Sequence, residues 1–282
     1  MKNELDLSLI RPLVRAWLAE DVGRGDITST SVIPSKAYAV ARLEARESFV
    51  VAGLGVAGLV FETVSDRPPE WDPKTEDGQI AAAGDTLARV EGNLRSILTA
   101  ERTALNVFAR LSGVASLTAD YARSLAGTNA RLVDTRKTTP GLRVLEKYAV
   151  RVGGGSNHRY GLDDGILIKD NHIASAGGIG PAVRSARSKA HHGLKVEVEV
   201  EDHAGLDEAL DAGADIVLLD NMTVEDVRKA VEATAGRALL EVSGGIKLDN
   251  IEDYARTGVD LISVGALTHS VRSVDVALEV DL

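Results

Sequence analysis

The spacing of apolar residues divides the chain into an irregular first part and a regular second part. In the first part, residues 8–20 repeat apolar side chains at helical spacing, residues 37–46 alternate as in a strand, and residues 93–111 return to a helical pattern. Residues 67–73 contain three prolines, which predict a loop. The first part is therefore predicted to mix helices and strands without a simple repeat.

The second part alternates short apolar runs with helical patterns. The apolar runs begin near residues 131, 164, 194, 215, 238 and 260, and the helical patterns cover residues 178–192, 203–212, 223–235 and 248–257. From residue 164 onward the runs start 21 to 30 residues apart, which is typical of βα units that form a parallel sheet. Crossovers of this length suit a β/α barrel, and six strands instead of eight predict an incomplete one.

The composition limits the kinds of molecule that this protein is expected to bind. The 282 residues carry a net charge of −10 and only 4% are aromatic, so a nucleic-acid partner is not expected. The absence of cysteine excludes disulfides, Cys-ligated metals and a thiol nucleophile. The first ten residues lack the apolar stretch of a secretory signal, and the longest uncharged run is shorter than the roughly 20 residues that span a bilayer. We therefore expect a cytoplasmic protein without a membrane partner.

Polar or glycine residues follow every predicted strand of the second part, where a barrel places its functional groups. At five of the strand ends they are Arg136 and Lys137, then Lys169, Asp220, Ser243 to Gly245, and Ser263 to Ala266. The strand near residue 194 carries Glu197, Glu199 and Glu201 on one face, because strand side chains alternate. These strand ends predict a site at one end of the barrel.

Positive charge is concentrated in one segment of this acidic chain. Residues 131–171 hold eight Lys or Arg residues and five Asp or Glu residues. Lys and Arg bind carboxylates and phosphates, and the carboxylates of Glu199 and Asp220 suit Mg²⁺, which prefers oxygen ligands. The segment therefore predicts an anionic substrate beside a divalent metal. A solvated charged surface is the alternative.

Two glycine-containing turns in the second part of the chain indicate a phosphate site. The turns SGGI at 243–246 and SVGALT at 263–268 follow adjacent predicted strands, and backbone N–H groups there, with a following helix, favour a phosphate. Plain βα turns remain the alternative.

Gly53, Gly55 and Gly58 spell the dinucleotide-binding pattern G-x-G-x-x-G. A dinucleotide-binding fold would need a second strand after this pattern, but residues 67–73 are poor strand sequence. Close packing of a small helix explains these three glycines better.

Two long motifs resemble a known family. Residues 134–143 read DTRKTTPGLR and residues 153–172 read GGGSNHRYGLDDGILIKDNH. Together with EDVGRGDITS at 20–29, VEVEVE at 196–201 and LLDNM at 218–222, they resemble the quinolinate phosphoribosyltransferases over nearly the whole chain. The resemblance implies an α/β fold with an N-terminal α/β sandwich domain (1–112) and an incomplete, open α/β barrel (113–269) of the type II phosphoribosyltransferase kind. It also implies that the tail, residues 270–282, returns to the first domain.

The resemblance implies an assembly and a reaction. The family forms homodimers in which one subunit's N-terminal domain covers the other's barrel mouth, so active sites are shared; assembly beyond a dimer stays open. The reaction joins quinolinate and phosphoribosyl pyrophosphate with Mg²⁺, and gives nicotinate mononucleotide, pyrophosphate and CO₂ in NAD biosynthesis. We expect the same partners here.

The resemblance also implies roles for individual residues. The quinolinate set is Arg136, His158, Arg159 and Lys169, with Arg102 supplied by the neighbouring subunit. The phosphoribosyl and phosphate set is Thr135, Lys137, Ser243, Gly244, Gly245, Val264, Gly265 and Ala266. Lys137, Glu199 and Asp220 are expected to act in catalysis, with the two acids holding Mg²⁺. Glu199 is preferred to Glu197 and Glu201 because of its spacing to Asp220, and that choice stays open, as does the cation that faces each carboxylate.

Three other functions remain alternatives. A related phosphoribosyltransferase could act on nicotinate or another heteroaromatic acid, for which fewer cations would suffice. A barrel aldolase would use Lys169 as a Schiff-base lysine, which borohydride would trap with a carbonyl substrate. A nucleotide-binding regulator would bind ligand without turnover.

Overall fold

A single helix of 31 residues, Leu94–Ser124, runs through the domain boundary predicted after residue 112. The structure is a computed structural model that describes residues 5–281, and it divides into two compact units, the first of which runs to residue 119. The first unit also includes residues 139–154 and the chain from residue 270 onward. Residues 139–154 belong to it because Gly153 permits close contact with the long helix. A Cβ at Gly153 would lie 2.3 Å from the carbonyl oxygen of Ala115.

The elements alternate regularly only after residue 130. The helices are α1 (Leu7–Val22), α2 (Ile27–Val32), α3 (Leu54–Thr63), α4 (Leu94–Ser124), α5 (Arg143–Val152), α6 (Asp170–Ala176), α7 (Ile179–Lys189), α8 (His203–Asp211), α9 (Val224–Thr234), α10 (Ile251–Ala255) and α11 (Ala266–His269). The strands are β1 (Tyr38–Ala45), β2 (Phe49–Val50), β3 (Glu70–Pro73), β4 (Ile80–Ala81), β5 (Thr86–Asn93), β6 (Arg131–Val133), β7 (Ile166–Ile168), β8 (Val196–Val200), β9 (Ile216–Asp220), β10 (Leu239–Ser243), β11 (Leu261–Ser263) and β12 (Val276–Asp281).

The first unit is built on an antiparallel sheet in the order β12-β1-β5-β3. Burial alternates along β1, so every second side chain enters the core, as its sequence pattern predicts. The last strand, β12, pairs with β1 from Val40–Asp281 to Ala45–Val276. The tail is therefore part of the first unit's sheet. Within residues 5–281, none of the helices combines the length and the apolarity that crossing a lipid bilayer requires.

The loop predicted at residues 67–73 is partly wrong, because residues 70–73 form β3. This strand lies at the edge of the sheet and pairs with β5 alone, which leaves room for Pro73 at its end. Trp71 stacks on Phe61 of α3 with 5.4 Å between ring centroids. A Cβ at Gly58 would lie 2.7 Å from the Trp71 ring, so the glycine permits this contact. The G-x-G-x-x-G pattern thus belongs to a closely packed small helix.

The second unit is an open barrel of six parallel strands in the order β6-β11-β10-β9-β8-β7. The strands begin close to the six predicted positions, and helices follow β7 to β11. The ring is not closed between β6 and β7. Near that gap, Val133 and Ser156 form an isolated parallel bridge. The predicted α/β fold with an incomplete barrel is confirmed, and its parallel strands bring their carboxyl ends to one rim.

Candidate active site

A cavity of about 840 Å³ opens at the carboxyl ends of the barrel strands. Cavities of this size hold small-molecule ligands in other proteins. Every predicted site residue except Arg102 lines it: Thr135, Arg136, Lys137, His158, Arg159, Lys169, Glu199, Asp220, Ser243, Gly244, Gly245, Val264, Gly265 and Ala266. Arg102 lies on α4 in the first unit, where its side chain is 64% exposed.

A buried carboxylate connects the two long motifs. Asp134 follows β6 directly and is fully buried. Its Oδ2 accepts a hydrogen bond from the side-chain amide of Asn157 at 2.7 Å, and its Oδ1 accepts from the backbone N–H of His158 at 2.8 Å. The segment that carries His158 and Arg159 is therefore fixed against the end of β6.

Lys137 is held beside the second glycine turn. Its backbone N–H donates to the hydroxyl of Thr135 at 3.0 Å, and its carbonyl oxygen accepts from the hydroxyl of Thr268 at 2.7 Å. A Cβ at Gly265 would lie 3.0 Å from Cδ of Lys137. The glycine therefore lets the lysine side chain cross the turn that begins α11.

The first glycine turn requires both of its glycines. Gly244 and Gly245 have positive φ values of 89° and 64°, a backbone region that other residues enter with strain. A Cβ at Gly244 would lie 2.2 Å from Oδ1 of Asn221. The helix after this turn, α10, begins only at Ile251, so the helix start predicted at residue 248 is wrong and no helix end adjoins the turn.

The two glutamates of β8, Glu197 and Glu199, and Glu201 directly after the strand lie in different surroundings. Glu199 lines the cavity and forms an ion pair with Lys169. Glu197 is buried deeper in the barrel, and Glu201 is exposed beyond the end of the strand. Asp220 ends the neighbouring strand β9, and its Oδ2 accepts from the side-chain amide of Asn221 at 2.7 Å. Of the three glutamates, Glu199 is the one that lines the cavity together with Asp220.

Arg159 is anchored at one end and half-buried. Its Nη1 donates to the carbonyl oxygen of Gly165 at 2.9 Å. Burial, followed by the charge of Arg136, lowers the pKa of the Arg159 guanidinium from its usual value of 12.5. It remains a cation at neutral pH. The cavity therefore combines two closely spaced arginines with Lys169, a grouping that suits a dianion.

Sequence reasoning missed Glu241, which lines the cavity from the middle of β10 and is 1% exposed. Burial, and then the charge of Glu197, raises the pKa of the Glu241 carboxyl to about 7. The sequence did contain a sign of this residue. Glu241 interrupts the apolar run LLEVS and stands two residues before Ser243, so both side chains lie on the same face of the strand. Lys247 and His269, which also line the cavity, were missed as well.

Two family models match this chain in succession. The model for the N-terminal domain of quinolinate phosphoribosyl transferase matches residues 26–112, and the model for the C-terminal domain matches residues 114–279. The chain belongs to the quinolinate phosphoribosyl transferase family. The family indicated by the two long motifs is thereby confirmed, and the chain is a phosphoribosyltransferase.

Several relatives are similar to this chain over nearly their whole length. A probable nicotinate-nucleotide pyrophosphorylase (carboxylating) of Bacillus subtilis is 41% identical, with 97% of this chain and 94% of the relative covered. The nicotinate-nucleotide pyrophosphorylase (carboxylating) of Mycobacterium leprae is 43% identical, with 99% and 100% covered. A solved nicotinate-nucleotide pyrophosphorylase from Francisella tularensis superposes with a TM-score of 0.94 at 42% identity, over 99% of this chain and 98% of that one.

Proposed function

We propose that this chain transfers the phosphoribosyl group of phosphoribosyl pyrophosphate to quinolinate, with loss of CO₂, to give nicotinate mononucleotide. One observation carries the proposal. A single cavity places Arg136, Arg159 and Lys169 near Glu199 and Asp220, with both glycine turns on its rim. This arrangement suits a dicarboxylate and a phosphorylated sugar side by side.

The quinolinate end of the site is the group of cations. Arg136, Arg159 and Lys169 offer charge-assisted hydrogen bonds to the two carboxylates, and Arg159 is pre-oriented by Gly165. Decarboxylation requires that the C3 carboxylate be held while the C2 carboxylate leaves. Because Arg159 is anchored and Arg136 is exposed, the two arginines differ in rigidity, which suits unequal binding of the two carboxylates.

The phosphoribosyl end is formed by Lys137, the glycine turns and the two acids. Glu199 and Asp220 are oxygen ligands on neighbouring strands, which fits the one or two carboxylates that Mg²⁺ takes beside substrate phosphates. When bound there, Mg²⁺ would neutralise charge on the pyrophosphate oxygens. Lys137 contributes the same kind of neutralisation from its fixed position beside Gly265.

The chemistry needs no protein nucleophile. As pyrophosphate leaves, positive charge develops at C1 of the ribose, and the carboxylates of Glu199 and Asp220 stabilise it electrostatically. The pyridine nitrogen then forms the bond to C1. The cationic ring stabilises the carbanion left at C2 when CO₂ departs, and that carbon takes a proton from water.

The test is an assay of the purified protein with phosphoribosyl pyrophosphate, Mg²⁺ and either quinolinate or nicotinate. Quinolinate labelled with ¹⁴C in its C2 carboxylate separates transfer from decarboxylation, because label appears in CO₂ only after both. We expect mononucleotide and labelled CO₂ in equal amounts with quinolinate, and no product with nicotinate. Turnover of nicotinate alone would contradict the substrate assignment while leaving the phosphoribosyl end of the site in place.

A further inference from the structure

A buried polar cluster lies at the floor of the cavity, and the two glutamates in it are not used by the proposed chemistry. It consists of His158, Glu197 and Glu241, whose nearest ligand atoms all lie within 4.8 Å of one another. Both glutamates are almost completely buried. Burial of carboxylates is costly unless they bind a partner, so their placement requires an explanation.

Both ring nitrogens of His158 have hydrogen-bonding neighbours. Its Nδ1 accepts from the backbone N–H of Arg159 at 2.7 Å. A nitrogen that accepts carries no proton, so the ring hydrogen is on Nε2. Nε2 lies 3.2 Å from Oε2 of Glu197 and 3.5 Å from Oε2 of Glu241. The carboxylate pair is therefore placed to fix both the tautomer and the orientation of the ring.

The ring in turn connects to a cation of the proposed quinolinate end. The hydrogen bond that Nδ1 accepts comes from the backbone of Arg159. The backbone N–H of His158 itself donates to Asp134. The guanidinium of Arg159 is anchored separately at Gly165. Any rotation of the His158 ring would release the backbone of Arg159 between these two fixed points.

We infer that Glu241 is a positioning residue for quinolinate binding, which acts with Glu197 through His158 to hold Arg159. The inference rests on the proposed function, because its kinetic measurement is quinolinate turnover. Side chains that orient ligating groups typically change affinity or activity about 10- to 100-fold when removed. The raised pKa of Glu241 is consistent with this role, since the neutral acid and the carboxylate both offer Oε2 to His158.

The test compares two substitutions of Glu241 with the same substitutions at a matched position. Glu241→Gln keeps an oxygen acceptor, and Glu241→Met removes it at similar length. Glu208 is a suitable control because it lies in the same unit and accepts a hydrogen bond from Gly180 at 2.8 Å, away from the cavity. We expect Glu241→Met to raise KM for quinolinate about 10- to 100-fold and KM for phosphoribosyl pyrophosphate less than about threefold. Glu241→Gln and both Glu208 variants should stay near wild type.

A second measurement does not depend on turnover. Two-dimensional ¹⁵N–¹H spectra of the histidine rings report which nitrogen carries the proton, and loss of one signal set in His158→Gln assigns His158. We expect the Nε2–H tautomer in the wild type and in Glu241→Gln, and a mixture of tautomers in Glu241→Met.

The outcomes separate this inference from the proposed function. An Nδ1–H tautomer in the wild type overturns the inference even if Glu241→Met does not fold. Equal increases in both KM values, or an unchanged KM for quinolinate, also overturn it. A wild type without quinolinate turnover would contradict the proposed function, and the ring spectra would still decide whether Glu241 positions His158.

Discussion

At the scale of single residues, the site is a set of opposite charges held close together. Lys169, directly after β7, and Glu199, on the neighbouring strand β8, form an ion pair in the cavity wall, and the lysine side chain is 46% exposed. Surface ion pairs contribute little to folding. Removal of Lys169 should therefore weaken substrate binding and leave the free energy of unfolding almost unchanged. This distinction makes the lysine a good test of the quinolinate end.

Replacement of Lys169 by alanine should weaken quinolinate binding. Loss of a charge-assisted hydrogen bond costs about 1.5–3 kcal/mol, so kcat/KM for quinolinate should fall about 10- to 100-fold with little change in Tm. Lys229→Ala is the matched control, because Lys229 lies on α9 of the same unit and is 3.9 Å from Glu225. Steady-state kinetics of both variants check the prediction, and wild-type kinetics in Lys169→Ala would contradict the role.

Titration of the Glu241 carboxyl should make the stability of the folded protein depend on pH. Its pKa is about 7 in the folded protein, against an ordinary value of 4.5, and the groups that face it are Glu197, His158, Lys169 and Ser263. Because the folded state binds this proton more tightly, its stabilising contribution is complete below about pH 4.5 and is lost as the pH rises through 7.

Glu241→Gln removes this titration, since the amide stays neutral. We therefore expect the difference in Tm, Glu241→Gln minus wild type, to be larger at pH 8 than at pH 5. Thermal unfolding of both proteins at the two pH values measures the difference, with Glu208→Gln as the control. A Tm difference that does not change with pH would show that Glu241 titrates normally in the folded protein.

At the scale of elements, the ends of the strands determine the site and the turns determine its shape. Asp220 and Ser243 are register partners on β9 and β10, and the turn after Ser243 folds back over Asn221. The backbone N–H of Asn221 donates to the carbonyl oxygen of Ser243 at 2.9 Å. A change in this turn should therefore reach Asp220 through Asn221.

Gly244→Ala should damage this turn more than its backbone strain alone explains. A positive φ costs a residue with a side chain about 1–2 kcal/mol, and the new Cβ would also overlap Asn221. Gly236→Ala shares the positive φ, at 77°, but meets open space, so it isolates the strain. We expect KM for phosphoribosyl pyrophosphate to rise at least about tenfold in Gly244→Ala only. Equal kinetics in the two variants would contradict a role for the turn.

The elements also show what the sequence could and could not predict. Barrel strands were recognisable because each is an apolar run of regular spacing, and their polar ends marked nearly the whole cavity. Strand β3 was missed because the three prolines of residues 67–73 indicated a loop. Pro73, the one that lies in the strand, is tolerated because β3 is at the sheet edge, and that depends on where the partner strands lie. Glu241 was missed because its role depends on Glu197 and His158, which are distant in sequence.

At the scale of the whole molecule, the chain returns twice to its first unit. Residues 139–154 and the tail both join it, and β12 completes its sheet. The site cavity, by contrast, is lined by residues of the second unit, and Arg102 belongs to the first. The homodimer that the family resemblance implies would supply Arg102 from the neighbouring subunit, so each active site would need two chains.

Mixed dimers test this sharing. Arg102→Ala and Lys137→Ala should each be inactive as homodimers, whereas a mixed dimer would contain one intact site. Random mixing of equal amounts makes half of the dimers mixed, so about a quarter of wild-type activity should return. Lys137→Ala mixed with Lys169→Ala is the control and should not recover. Absence of recovery in purified mixed dimers carrying two different tags would contradict shared sites.

The ion pair of Lys169 with Glu199 has a consequence for how the two substrates affect each other. In the structure each of these groups neutralises the other, although we propose that they serve different substrates. The substrate that separates the pair first does work against this attraction and leaves the remaining group ready for the second substrate. Because such coupling is reciprocal, either substrate should increase the affinity for the other by the same factor.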